Sequence, residues 1–451
     1  MTTSADIKYK KAIPTNLLKI YSNKILTADE AVKSIKSGDN VVVQPGCAIP
    51  HELVRALVRR KDNLTNVTLY HILVVGPLEY VQPGMEKHFK HKAFFIGGNT
   101  RKAVNEGRAE FIPIFLSEVP LLFKNNIIQT DVALLQVSPP DEHGFCSYGV
   151  DVGTIKAAAE RAKIIIAQVN QNMPRTLGDS FIHINKIHHI VEYDEDLQEL
   201  PQIDPDTTPQ MLDVYDRIGK YIADMVEDGS TLQMGIGAIP DSVMRYLTNK
   251  KDLGIHTEMF SDGIIELVER GIINGEKKSL HPGKIIAGFV LGTRKVYDFI
   301  DNNPVIEFHP QEYVNDPFII AKNNKMVAIN SAIEVDITGQ ICADSIGTKF
   351  YSGIGGQVDF IRGAARSDGG KPIIALPSTT KDEKISRIVP MLKQGAGVVT
   401  SRGDVHYVVT EYGVAHLFGK TIQERVISLI NIAHPKFRDE LTEYAKNVYH
   451  I

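Results

Sequence analysis

One carboxylate and two glycine-rich loops carry the residue types from which a reactive or anion-binding site could be built. Glu258 ends the run Gly254-Ile-His-Thr-Glu258 and precedes Met259-Phe-Ser-Asp262-Gly263. The run reads as a short strand, and Asp and Gly then turn the chain into a helix from Ile264 to Arg270. Open α/β sheets bind ligands outside the carboxyl ends of their strands, which is where this reading leaves Glu258. A surface glutamate at a loop satisfies the same pattern, and position alone does not separate the two.

The first loop, Gly235-Ile-Gly237-Ala-Ile-Pro240-Asp-Ser, follows the apolar run Thr231–Met234 and opens a helix with a proline near its first turn. Bare backbone amides at such a helix start suit an anion or an oxyanion. A tight strand-to-helix turn without a ligand fits equally. The loop is no dinucleotide fingerprint, because Pro240 stands where GxGxxG needs its third glycine. The second loop is Ser352-Gly-Ile-Gly-Gly356-Gln-Val-Asp-Phe360, whose glycines allow close backbone approach or a second pair of N–H donors.

Other chemistries lack their signatures. The sequence has no GxSxG elbow, P-loop or HExxH, and His183, His188 and His189 have neither a paired cysteine nor an i,i+4 spacing, so no metal site is indicated. Cys47, Cys146 and Cys342 are odd in number and far apart, which argues against a disulfide framework and for a reducing, cytoplasmic setting. A net charge of −4 without a basic stripe argues against a nucleic-acid partner, and Met1 to Asn23 holds no apolar stretch long enough for a membrane span or a secretory leader, so no membrane partner is expected.

These residues need a scaffold, and the chain supplies it by repetition. At 451 residues it exceeds one hydrophobic core, while 43% apolar and 23% charged residues suffice for two. Apolar runs at Asn40–Val43, Val132–Leu135, Ile164–Ala167 and Ile373–Leu376 alternate with helical patterns, which implies a mostly parallel α/β sheet buried on both faces. Residues 37–50, SGDNVVVQPGCAIP, recur as 228–240, DGSTLQMGIGAIP, each followed by an amphipathic helix (51–57 and 241–247). Asp141-x-x-Gly144 with Cys146 recurs as Asp336-x-x-Gly339 with Cys342, and Lys163-x-Ile-Ile-Ala167 as Lys371-x-Ile-Ile-Ala375. The equivalence of Cys146 and Cys342 suits a small buried residue better than a nucleophile. We therefore expect an arm at 1–25, an N-terminal α/β domain at 26–195, an acidic, proline-containing linker at 196–212, and a related C-terminal domain at 213–451 carrying Glu258. The arm, with Lys8, Lys10, Lys11 and Lys19 but no arginine, reads as part of the mature protein.

Together, Gly235–Asp241, His256–Gly263, Ser352–Phe360, Val409-Thr-Glu-Tyr-Gly413 and Val137-Ser-Pro-Pro-Asp-Glu-His-Gly-Phe-Cys146 make the sequence, from about Leu26 onward, resemble the acetyl-CoA hydrolase/transferase family. The similarity is to its branch that moves CoA between acetyl-CoA and 4-hydroxybutyrate or butyrate. The resemblance implies a CoA-transferase (NagB/RpiA-like) fold of two tandem α/β domains with the active site at their interface, and a homo-oligomer, either dimer or tetramer. It implies that Glu258 forms a glutamyl-CoA thioester. It further implies that Gly235, Ile236, Gly237, Ala238 and Ile239 contact CoA, that Gly353, Gly355 and Gly356 add CoA contacts and an oxyanion N–H, and that Ile333 and Lys381 lie where relatives contact CoA. No permanently bound cofactor is expected; coenzyme A and acetyl-CoA are substrates, with short-chain carboxylates. Hydrolysis of acyl-CoA by the same glutamate, or CoA binding without chemistry, are the alternative readings.

Overall fold

The computed structural model describes residues 14–200 and 207–451. Two large sheets organise it. The first has seven strands, in the order His189–Glu192, Ile164–Val169, Val132–Val137, Asn40–Val43, Val67–His71, Phe89–Ala93 and Glu110–Phe111, all parallel. The second has six, in the order Gly254–Ile255, Thr231–Met234, Met326–Ser331, Lys371–Ala375, Tyr407–Thr410 and Gly413–His416, of which only the last pairs antiparallel. Central strands such as Val132–Val137 are buried along their whole length, as largely apolar runs covered by helices on both faces must be.

The repeat is structural. Asn40–Val43 and Thr231–Met234 take the same place in their sheets, as do Ile164–Val169 and Lys371–Ala375. The two Asp-x-x-Gly motifs build the same turn. Asp141 Oδ1 accepts from the amides of His143 and Phe145, and Asp336 Oδ1 accepts from those of Thr338 and Gln340. The glycines closing these turns, Gly144 and Gly339, have φ of 88° and 95°, a conformation that a side chain disfavours. Cys146 and Cys342 follow, each fully buried, as a small packing residue should be.

The halves share one core. Val42, Ala133 and Leu135 of the first sheet belong to the same apolar cluster as Leu232, Met234 and Ile255 of the second. Backbone pairing also crosses between them, because Leu177–Gly178 adds a strand to Ile306–Phe308, and Phe115 bridges Gly355. The end of the expected linker is helical, since Pro209–Met225 starts with proline in its first turn and Thr208 capping the amide of Met211; residues 201–206 lie outside the described residues. Residues 1–13 of the expected arm also lie outside them, while Lys24, near its end, donates from Nζ to the carbonyls of Asn185 and Ile187 at 2.9 and 2.7 Å.

Candidate active site

Glu258 is not at the end of a continuous strand. The strand ends at Ile255, His256 makes only an isolated bridge to Ile286, and a second short strand, Met259–Phe260, pairs with Phe289–Val290, leaving Glu258 between them. Side chains cause the break. Thr257 Oγ1 donates toward the carbonyls of Met234 and Met259 (3.2 and 3.0 Å), and the ring of His256 turns away to bond the carbonyl of Val314 through Nε2 at 2.8 Å. The Glu258 carbonyl is held from the other side by the amides of Gly288 and Phe289, both at 3.0 Å. With main-chain anchors on either side, the residue has little freedom beyond its own side chain.

The carboxyl group is enclosed but not sealed. Glu258 keeps partial solvent exposure, while burial pushes its carboxyl above the usual carboxylate range. Opposing that shift, Asn315 Nδ2 donates to Oε2 at 2.8 Å. Asn315 ends the helix Gln311–Val314, the element that His256 anchors through Val314; burial holds His256 down to about 3, so its ring is neutral and Nε2–H donates. Gly356 completes the enclosure, because a Cβ there would stand 1.8 Å from Oε2. Asp359, on the first turn of the helix Gln357–Arg366, lies behind Asn315 and is pushed up to about 7, mainly by burial and further by the charge of Glu258, against the hydrogen bonds from Ser117 and Asn315.

The predicted glycines separate by what they face. Gly235 abuts the Glu258 segment, with Met259 Cε 3.9 Å from where its Cβ would be. Gly237, at φ 103°, precedes a helix that starts at Ala238, three residues earlier than the pattern implied, so Ala238 and Ile239 supply amides of its first turn. Gly355 has φ of 60°, and its carbonyl accepts from the amide of Leu116 at 3.0 Å. Gly353 is lodged against the first half of the chain, its missing Cβ 3.0 Å from the Phe95 ring and 3.2 Å from the Phe94 carbonyl.

Outside the carboxyl ends of the parallel strands, Ile236, Ala238 and Ile239 form one wall of a cavity of about 200 Å³ whose other walls are Ser331–Ala332, Ala375–Pro377 and Arg387. Ile333, the residue after Ala332, is partly exposed. Lys381 lines an adjoining cavity together with Arg387 and Glu411. A third and larger hollow of about 760 Å³ includes Gly237, Ala238, Asp241 and Arg245, and Tyr215 borders all three. Glu258 itself is not on these walls, while Gly235, at the start of the loop that lines them, packs toward Met259 beside it. Sequence reasoning missed Asn315, the anchoring role of His256, and Arg387. Asp359 was legible only as part of the second glycine motif. Among the described residues no three His, Cys, Asp or Glu side chains group to hold a metal, and no helix is long and apolar enough to cross a membrane.

Comparison with known proteins agrees across the chain. The family model for the acetyl-CoA hydrolase/transferase N-terminal domain matches residues 11–200, and that for its C-terminal domain residues 292–445. A 4-hydroxybutyrate coenzyme A transferase of Clostridium kluyveri is 55% identical over 94% of this chain and 97% of its own length. A succinyl-CoA:acetate/propanoyl-CoA:succinate CoA transferase of Fasciola hepatica is 51% identical over 92% of this chain and 86% of its own. The crystal structure of 4-hydroxybutyrate CoA-transferase from Porphyromonas gingivalis superposes with a TM-score of 0.82 at 42% identity, covering 95% of this chain and 99% of that one.

Proposed function

This chain belongs to the acetyl-CoA hydrolase/transferase family and is an acyl-CoA:carboxylate CoA-transferase, and we propose that it moves CoA between acetyl-CoA and a short-chain acid of the 4-hydroxybutyrate or butyrate type through a thioester on Glu258. The observation that carries the mechanism is the setting of that carboxylate: desolvated, fixed through its backbone, and bonded on one oxygen by Asn315.

CoA transfer exchanges acyl partners without water. Glu258 attacks the acyl-CoA carbonyl, the C–S bond breaks, and an acyl-glutamyl anhydride and CoA thiolate result. The thiolate then attacks the glutamyl carbonyl, expelling the first acid as its carboxylate and leaving the glutamyl-CoA thioester. A second carboxylate attacks that thioester and the steps reverse, which regenerates Glu258. Both attacks pass through oxyanions, and backbone amides near Glu258 are the natural donors; losing one such donor costs about 10²–10³ in rate. Poor hydration of Glu258 raises its nucleophilicity and shields the anhydride and thioester from water. We assign the cleft beyond Gly235–Ile239, with Ile333, Lys381 and Arg387 along it, to CoA. The reading places the active site where the two halves meet.

The acid is the open variable. Donor and acceptor panels of acetate, propionate, butyrate and 4-hydroxybutyrate test it, with ping-pong kinetics expected in every productive pair. Release of CoA from acetyl-CoA with no acceptor acid at a rate matching exchange would instead assign the chain to hydrolysis.

A further inference from the structure

The hydrogen bonds behind Glu258 lead out of its own half of the chain. Asn315 is fully buried, and its Oδ1 has no hydrogen-bond partner, so only its NH₂ group sets the orientation of the carboxamide. That group has two acceptors: Glu258 Oε2 at 2.8 Å and Asp359 Oδ2 at 3.5 Å. Asp359 is in turn gripped on both oxygens by one residue of the first half, for Ser117 donates from Oγ to Oδ1 at 2.9 Å and from its amide to Oδ2 at 3.1 Å. The segment bearing Ser117 is fixed by backbone pairing to the glycine loop, through the Phe115–Gly355 bridge and the bond from the Leu116 amide to the Gly355 carbonyl at 3.0 Å. Gly356, the next residue, touches the Glu258 carboxyl group.

We propose that Ser117 is a positioning residue for the nucleophile: it fixes Asp359, which orients the Asn315 carboxamide against Glu258, so that correct seating of the first half on the second aligns the reacting carboxylate. The inference rests on the reading of Glu258 as nucleophile. A purely structural serine would be expected to cap its own helix or to bond its own half. Ser117 does neither; its side chain bonds a carboxyl group 242 positions away. The elements around Asp359 contribute the titratable groups Glu258, Glu118 and Glu312, of which Glu312 is ion-paired with Lys124; the charge acting on Asp359 is that of Glu258.

The test is exchange of labelled acetate into acetyl-CoA by the full chain carrying Ser117→Ala, Ser117→Thr, Asn315→Ala or the Ser117→Ala/Asn315→Ala pair, with thermal melting alongside. Ser117→Ala should lower kcat by about tenfold, because displacements well under 1 Å at a reacting group are enough for that. KM for acetyl-CoA and the melting temperature should stay near wild type. Ser117→Thr, which keeps the hydroxyl, should recover most of the rate, and Ser117→Ala should cost nothing further once Asn315 is alanine. Full kcat in Ser117→Ala, a loss confined to KM or to melting temperature, no recovery in Ser117→Thr, or additive losses in the pair would each overturn the proposal. Failure of the underlying reading shows elsewhere: a CoA adduct that survives Glu258→Ala would remove the nucleophile assignment whatever Ser117 does.

Discussion

A Cβ at position 356 would lie 1.8 Å from Glu258 Oε2 and 2.2 Å from Asn315 Nδ2. The backbone of Gly356, at φ −95°, accepts any residue, so what requires glycine there is the carboxylate and its amide partner. Gly356→Ala should therefore displace Glu258 and lower kcat by about 10²-fold while the melting temperature changes little. Gly353→Ala should behave oppositely. Its Cβ meets Phe95 and the Phe94 carbonyl at 3.0–3.2 Å, and overpacking of that contact between the halves costs about 1–3 kcal/mol. Stability should fall with turnover less affected; if both variants lose stability and rate in the same proportion, the distinction is wrong.

How much of this was legible depended on sequence distance. The duplicated fold could be read because each copy writes glycine, strand, proline and helix into a dozen consecutive residues, and the Asp-x-x-Gly turns are local as well. Glu258 was legible as a candidate from the turn that follows it, although its strand was not, since the bonds from Thr257 to Met234 and from His256 to Val314 that end the strand join residues 23 and 58 apart. Asn315 and Ser117 could not be found in this way. Asn315 meets Glu258 across 57 residues and Ser117 meets Asp359 across 242, and neither stands in a motif of its own.

Asp359 makes stability depend on pH in a predictable direction. Its carboxyl is pushed up to about 7, mainly by burial, whereas an unfolded aspartate titrates near about 4. Between those values the folded chain keeps a proton that the unfolded chain releases. The folded state thus binds more protons, and its stability falls as pH rises through the window. This contribution is full below about 4 and gone above about 7. Asp359→Asn removes this slope and leaves that of Glu258 in place. Urea midpoints should give wild type its largest advantage over Asp359→Asn at about pH 4, a shrinking one through about pH 5 and 6, and its smallest at about pH 8. Parallel curves would mean that Asp359 titrates as an ordinary carboxylate.

Thiol chemistry should be dispensable. Burial pushes Cys47 up to about 11, Cys146 up to about 12 and Cys342 in the same direction, so little thiolate exists at neutral pH. Native enzyme treated with iodoacetamide at pH 7.5 should keep its exchange activity, and peptide mapping should find the three cysteines unmodified until urea is added. Rapid inactivation with a label on Cys146 would reopen the case for a cysteine nucleophile.

The nucleophile assignment itself predicts a mass. Acetyl-CoA given to wild type without an acceptor acid should leave protein heavier by the CoA moiety, with the added mass on the peptide containing Ile255 to Asp262. Glu258→Ala should show neither adduct nor exchange. Glu258→Asp keeps the charge but withdraws the carboxyl by one methylene from Asn315 Nδ2, which now bonds it at 2.8 Å. A displacement of about 1 Å can cost about 10²-fold, so this variant should bind CoA yet exchange very slowly. Asn315→Ala should be intermediate, because it removes the one side-chain donor seen on Oε2 but leaves the carboxylate and its backbone anchors at Gly288 and Phe289. Borohydride adds a second readout. It reduces a thioester and spares a free carboxylate, so it should inactivate only wild type that has met acetyl-CoA. An adduct found on Glu411 or Cys146, or substantial transfer by Glu258→Ala, would show that the desolvated carboxyl between Asn315 and Gly356 is not where CoA is carried.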